Sequence, residues 1–214
     1  MPPHRRPARA ALGALAAAGL TIGLALPAAP AEARTAHHAQ ARTAYHADRA
    51  SDVRRASALL AHPAIRPAPR RRDGDVRAIR MFNTSFVGVR VRFTDLVHTR
   101  GYRYDVLRVV TGKRLVRNVS VVYGPGFGAG YVRVTRANRR PVRCHVTHST
   151  DYRHNVVGIH VSRSCLGHPR WVRIGYVAQT VTPNLRQLFT DDALRGGTRN
   201  MNGPSAMSRK IWRR

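Results

Sequence analysis

The residues Phe86-Val87-Gly88-Val89-Arg90-Val91-Arg92-Phe93 decide how the rest of this chain is read. Val87, Val89, Val91 and Phe93 fall on one side of an extended backbone. Gly88, Arg90 and Arg92 fall on the other. A period of two with one apolar side marks a half-buried β-strand, and all four inward positions are β-branched or aromatic.

The same alternation recurs along the chain. In Tyr131–Thr135, Val132 and Val134 oppose Tyr131, Arg133 and Thr135. In Val142–Val146, Val142, Cys144 and Val146 oppose Arg143 and His145, and in Val156–Val161, Val157, Ile159 and Val161 oppose His160. Further strands are expected over Val76–Phe82, Tyr104–Val110, Asn118–Tyr123 and Trp171–Ala178. Turn signals separate them at Thr111-Gly112-Lys113, Gly124–Gly130, Asn138 to Pro141 and Gly167 to Pro169. No amphipathic helix of ordinary length interrupts the series. Residues 75–185 are therefore expected to form an all-β domain, an antiparallel β-sandwich of about eight strands whose bulky inward rows meet across two sheets.

The flanks read differently. Residues 34–74 are rich in Ala, Arg and His and are expected to be a disordered linker. Within them, Val53, Ala56, Leu59 and Leu60 give Ala47 to His62 a weak helical stripe, which Pro63, Pro67 and Pro69 end. After Thr182-Pro183, Leu185 to Leu194 reads as a short helix, and residues 186–214 as that helix and a basic tail carrying Trp212. At the start, Arg5, Arg6 and Arg9 precede an apolar run from Ala10 to Leu26, then Pro27, Pro30 and Ala31-Glu32-Ala33. A cationic start, a short apolar run and a small-x-small site make residues 1–33 a cleavable signal peptide, with Arg34 the new N-terminus. The alternative is a membrane anchor, for which a run of about 17 residues is short. The protein is therefore expected outside the cell, with no stable membrane span after cleavage.

Composition narrows the chemistry. The chain holds 38 basic and 10 acidic residues, a formal net charge of +28, and all but Lys113 and Lys210 of the basic residues are arginine. The leader takes three arginines and Glu32, so the remainder keeps 35 basic residues and nine acids, all aspartate. Such an excess creates a positive field that favours polyanions. With no glutamate left, a paired-carboxylate hydrolase has little material to use. Cys144 and Cys165, an even count in an exported chain, are expected to form one disulfide closing a loop of about 22 residues.

No catalytic motif emerges. Gly124-Pro125-Gly126-Phe127-Gly128-Ala129-Gly130 lacks the Lys-Ser/Thr ending of a phosphate loop and reads as a wide turn whose glycines allow positive φ. No G-x-S-x-G elbow is present, and Ser149 and Ser162 lie near histidines only in sequence. His145, His148, Asp151, His154 and His160 form a dense group. Alternation puts His145 and His148 on opposite faces, but a loop could gather His148, Asp151 and His154 around a zinc ion. No nucleic-acid motif is found and no cofactor is expected.

Arg90, Arg92, Arg133, Arg143 and Arg173 all alternate with apolar residues, and Tyr131 and Trp171 share the faces of Arg133 and Arg173. Guanidinium groups beside aromatic rings suit phosphates, carboxylates and sugar rings. These seven residues are the expected ligand-binding set; whether they share one sheet depends on the strand order. Outward arginines also simply keep a β-protein soluble.

Around Cys165-Leu166-Gly167-His168-Pro169-Arg170-Trp171-Val172-Arg173, with Asp75-Val76-Arg77 and Val89-Arg90-Val91-Arg92-Phe93, the chain resembles small secreted actinobacterial β-rich proteins with one cysteine pair. That resemblance covers residues 75 to about 180 and implies a fold and a location, but no activity. The sequence thus points to a non-enzymatic binding module for an anionic cell-envelope polymer or glycan. Two alternatives stand beside it: a metal-dependent extracellular hydrolase using the His145–His160 region, and an inhibitor or adaptor binding another protein along a sheet edge.

Overall fold

A computed structural model describes residues 43–60, 64–196, 203–204 and 206–213, all within one compact unit, His37–Arg214. The leader expected over residues 1–33 lies outside the described residues. Among those described, no helix is long and apolar enough to cross a membrane.

The fold is all-β, two antiparallel sheets packed face to face. The first sheet has the order β1-β4-β5-β10-β9, built from β1 (Thr43–Ala47), β4 (Val76–Asn83), β5 (Phe86–Phe93), β10 (Val156–Ser162) and β9 (Val146–Asp151). The second has the order β3-β2-β12-β11-β6-β7-β8. Its strands are β3 (Arg66–Pro67), β2 (Arg54–Ser57), β12 (Gln187–Asp192), β11 (Trp171–Val181), β6 (Tyr102–Thr111), β7 (Val116–Tyr123) and β8 (Tyr131–Arg136). A last strand, β13 (Ile211–Trp212), pairs with the start of β11.

Alternation builds the core. Val87, Val89, Val91 and Phe93 of β5 are buried, as are Ile79, Met81, Val157, Ile159 and Val161 beside them. They meet Leu107, Val109, Val119, Val121, Val172, Ile174 and Tyr176 of the second sheet in one apolar cluster. Into this core the second sheet also sends Arg103, which is 1% exposed and donates from Nε to Asp105 at 3.1 Å. Tyr176 donates to the other Asp105 oxygen at 2.6 Å, and the Arg103 guanidinium lies 4.2 Å from the Tyr123 ring centre. Burial pulls the Arg103 pKa down, but Asp105, Tyr176, Tyr152 and Tyr123 around the guanidinium together outweigh that and raise it.

Cys144 and Cys165 are bonded, joining the segment before β9 to a 3₁₀ turn, Arg163–Leu166, after β10. In the Gly124–Gly130 loop, Gly124, Gly126 and Gly130 all take positive φ, as a wide turn requires.

Four expectations are corrected. Residues 142–145 are not a strand: β9 begins at Val146, and only Thr135 and Pro141 bridge nearby. The supposed linker is partly folded, since β1 pairs with β4 along five residues and β2 pairs with both β3 and β12. The helical stripe expected over Ala47 to His62 is not seen in its described residues, 47–60, which hold β2 instead, with Ala56 buried. The helix over Leu185 to Leu194 is instead β12, returned by a tight hairpin in which Leu185 takes φ 57° and Thr182 N–H donates to Gln187 O. Backbone pairing with neighbouring strands outweighs these weak local preferences.

The C-terminal stretch also joins the domain rather than trailing from it. Ser208 N–H donates to Ile174 O, Ile174 N–H to Ser208 Oγ, and Ile211 is buried. Gly175 makes this approach feasible, because a Cβ there would stand 2.5 Å from Ala206 O. Trp212 is half-buried against Trp171, ring centres 6.4 Å apart, with the Lys210 ammonium over both rings.

Candidate functional site

The outer face of the first sheet carries rows of side chains in register. Tyr45, Arg80, Arg90, Gly158 and Ser149 form the central row across β1, β4, β5, β10 and β9. Ala78, Arg92, Val156 and Asp151 form the row to one side; Thr43, Phe82, Gly88, His160 and Thr147 form the row to the other. Each row lies two residues, about 7 Å, from the next. The inward residues between them are locked in the core, which fixes the outward positions.

Two glycines shape this surface. Gly88 has no side chain between Phe82 and His160, so those rings meet over it with centres 5.2 Å apart, and Phe86 lies 6.1 Å from His160. Gly158 leaves the space between Arg90 and Ser149 open; a Cβ there would stand 2.8 Å from Ser149 Oγ. The result is two adjoining open grooves, about 590 and 540 Å³, that share Arg80, Arg90 and Val156 as walls. Arg92, Arg153 and Tyr45 complete one, and Phe82 and His160 complete the other.

The electrostatics are one-sided. Arg80 and Arg90 stand directly opposite each other, an arrangement that destabilises a strand pair by about 0.2–1 kcal/mol. Among the described residues, no carboxylate forms an ion pair with Arg80, Arg90, Arg92 or Arg153. Asp151, the one acid lining the grooves, bonds His154 at 2.7 Å, and that hydrogen bond lowers its pKa. The face thus offers four exposed guanidinium groups beside an aromatic end, a surface suited to anionic groups strung along a chain.

The seven residues expected from sequence divide between the two sheets. Arg90 and Arg92 lie on this face. Tyr131 and Arg133 lie on β8, at the far edge of the second sheet, where Tyr131 packs against Phe127. Arg173 and Trp171 lie on β11, three strands away from β8. Arg143 sits in the irregular stretch before β9. No single surface gathers all seven. Sequence reading missed Arg80, although Ile79 and Met81 flank it inward in the expected strand Val76–Phe82. It also missed Arg153, in a turn, and Tyr45, in the supposed linker.

The histidine group does not converge. His148 points inward and meets the Tyr123 hydroxyl at 3.2 Å, and burial lowers its pKa. Asp151 and His154 pair on the outer side, and His160 packs with Phe82 and Phe86. The ligand-type side chains that do converge among the described residues are Asp48, Asp52 and Asp191. Comparison of the chain with protein-family models, curated proteins and solved structures found no match.

Proposed function

We propose that this chain is a secreted, basic binding module that holds an anionic cell-envelope polymer or acidic glycan along the outer face of the β1-β4-β5-β10-β9 sheet. The observation that carries this reading is the in-register pair Arg80–Arg90, flanked by Arg92 and Arg153 with no carboxylate partner among the described residues. Like charges held opposite each other cost the fold free energy, and a polyanion laid between them turns that cost into affinity. Guanidinium forks take phosphate or carboxylate oxygens in pairs, while the Phe82–His160 end offers an apolar wall to a sugar or polyol. The face binds and does no chemistry in this reading, and no cofactor takes part. The disulfide supports an oxidising, extracellular setting.

Two charge-matched variants test it: Arg80→Ala/Arg90→Ala/Arg92→Ala, and Arg133→Ala/Arg143→Ala/Arg173→Ala. Both remove three positive charges, from different parts of the surface. With long-chain polyphosphate as the probe, the first variant should lose at least about tenfold in affinity and the second less than about threefold, with the salt slope falling by roughly two in the first. Equal losses would mean that net charge alone, and no particular face, drives binding.

A further inference from the structure

The nine aspartates outside the leader are the chain's remaining acids, and five of them gather at one place. Asp48 and Asp52 lie on the connection from β1 to β2, Asp75 immediately before β4, and Asp191 and Asp192 at the end of β12. The connection is anchored: Asp48 N–H donates to Arg77 O at 3.0 Å, and Ser51 N–H to Asp75 Oδ1 at 2.8 Å. Asp75 Oδ2 is taken by the Thr94 hydroxyl, and Asp192 accepts from the backbone N–H groups of Leu194 and Ala206.

Beside these, Asp48, Asp52 and Asp191 bring their carboxylates together in a three-carboxylate centre. One oxygen each from Asp48, Asp52 and Asp191 lie within 4.8 Å of one another. Asp191 is completely buried; its Oδ2 accepts from Val76 N–H at 2.7 Å, while its Oδ1 has no hydrogen-bond partner. Asp48 Oδ2 is likewise buried without one. A buried carboxylate oxygen left without a donor is costly unless a cation or a proton meets it. In a chain with so few acids, this convergence is a built feature of two segments distant in the chain and not a solvated run of charge.

We infer that Asp48, Asp52 and Asp191 bind one calcium ion, which ties the β1–β2 connection to the end of β12. Three oxygens no more than 4.8 Å apart have a common centre within about 2.8 Å, close to the 2.3–2.6 Å of calcium–oxygen bonds. An all-carboxylate donor set with no nitrogen or sulfur suits a hard cation and disfavours zinc or copper. Magnesium dehydrates reluctantly and is usually held through one or two carboxylates with several waters kept, so a set of three protein carboxylates suits calcium better.

The test is equilibrium dialysis of the chelator-stripped full chain against radioactive calcium, with thermal unfolding followed in parallel. One calcium per chain is expected, together with a rise in the unfolding temperature that magnesium reproduces only at much higher concentration. Asp48→Asn and Asp191→Asn should each weaken calcium binding at least tenfold, while Asp95→Asn should leave it unchanged. Should a variant fail to fold, the stoichiometry and the calcium-dependent thermal shift of the unaltered chain still decide. No calcium retained at millimolar concentration would overturn the assignment, as would retention undiminished in folded Asp48→Asn. In that case protons, not a metal, neutralise the centre.

Discussion

Replacing Asp105 with alanine removes the partner of a charge buried between the two sheets. Arg103 and Asp105 have side-chain exposures of 2% and 0%, and their contact is 3.1 Å. Breaking such a pair from one side costs about 3–5 kcal/mol, because the remaining charge stays in a poorly solvating interior. The Tyr176 hydroxyl, 2.6 Å from Asp105 and wholly buried, loses its acceptor as well, a further cost of about 1–3 kcal/mol. The Tyr123 ring under the guanidinium and the Arg103 contact with Thr150 at 3.2 Å recover part of this. The net loss should be about 4–6 kcal/mol, against a total stability of about 5–15 for a domain of ordinary size. Urea unfolding of the disulfide-intact protein measures it. The decisive comparison is the triple variant Arg103→Met/Asp105→Leu/Tyr176→Phe, which removes charge, counter-charge and hydroxyl together. It should recover most of the loss, since apolar groups of similar volume replace a buried pair at little cost. Refutation would come from an Asp105→Ala variant within about 1 kcal/mol of the unaltered protein, or a triple variant no better than the single.

In chelator, stability should fall as pH rises from about 4 to about 9. Burial, and next the neighbouring Asp52, make Asp48 and Asp191 keep protons in the folded chain that the unfolded chain has already released. Each such carboxyl contributes up to about 1.4 kcal/mol per pH unit across that window, and urea midpoints at pH 5, 7 and 9 should descend in order. A level profile would show that the cluster is not held protonated. Cys144→Ser/Cys165→Ser opens a loop with a sequence separation of 21 and should cost about 3 kcal/mol, read from the same urea curves. Gly175→Ala drives a Cβ against Ala206 O and Met207 Sδ; the segment around Ile211 should detach, lowering the unfolding temperature and speeding tryptic cleavage at Arg209 or Lys210. Unchanged proteolysis would mean that the segment accommodates the methyl group.

The strand Phe86–Phe93 has the bounds its alternation implies, because each inward valine is buried and each outward arginine solvated, so local pattern and tertiary environment agree. The core strands of both sheets were legible for the same reason, and the cysteine pair followed from an even count of two in a chain read as exported. β1, β2 and β12 were not. Their side chains are mixed, and what holds them is the open edge of a neighbouring strand, which a linear reading does not contain. Leu185, Leu188 and Phe189 even fall at helical spacing, yet a hairpin turn at Leu185 returns the chain along β11. The candidate face was half legible: alternation turned Arg90 and Arg92 outward, but only the register set Arg80 opposite Arg90 and parted both from Arg133 and Arg173. The aspartate centre was illegible, since its members lie in a presumed linker and a presumed helix, over a hundred residues apart.

By itself, then, the sequence determined the fold class, the core rows, the disulfide and the strongly positive character, all properties that depend on residue type and on a period of two. Strand order, the shared face of Arg80, Arg90, Arg92 and Arg153, and the meeting of Asp48 and Asp52 with Asp191 were decided by tertiary structure alone. Pairing between strands distant in the chain is chosen by the packing of two whole sheets, and no single segment carries that information.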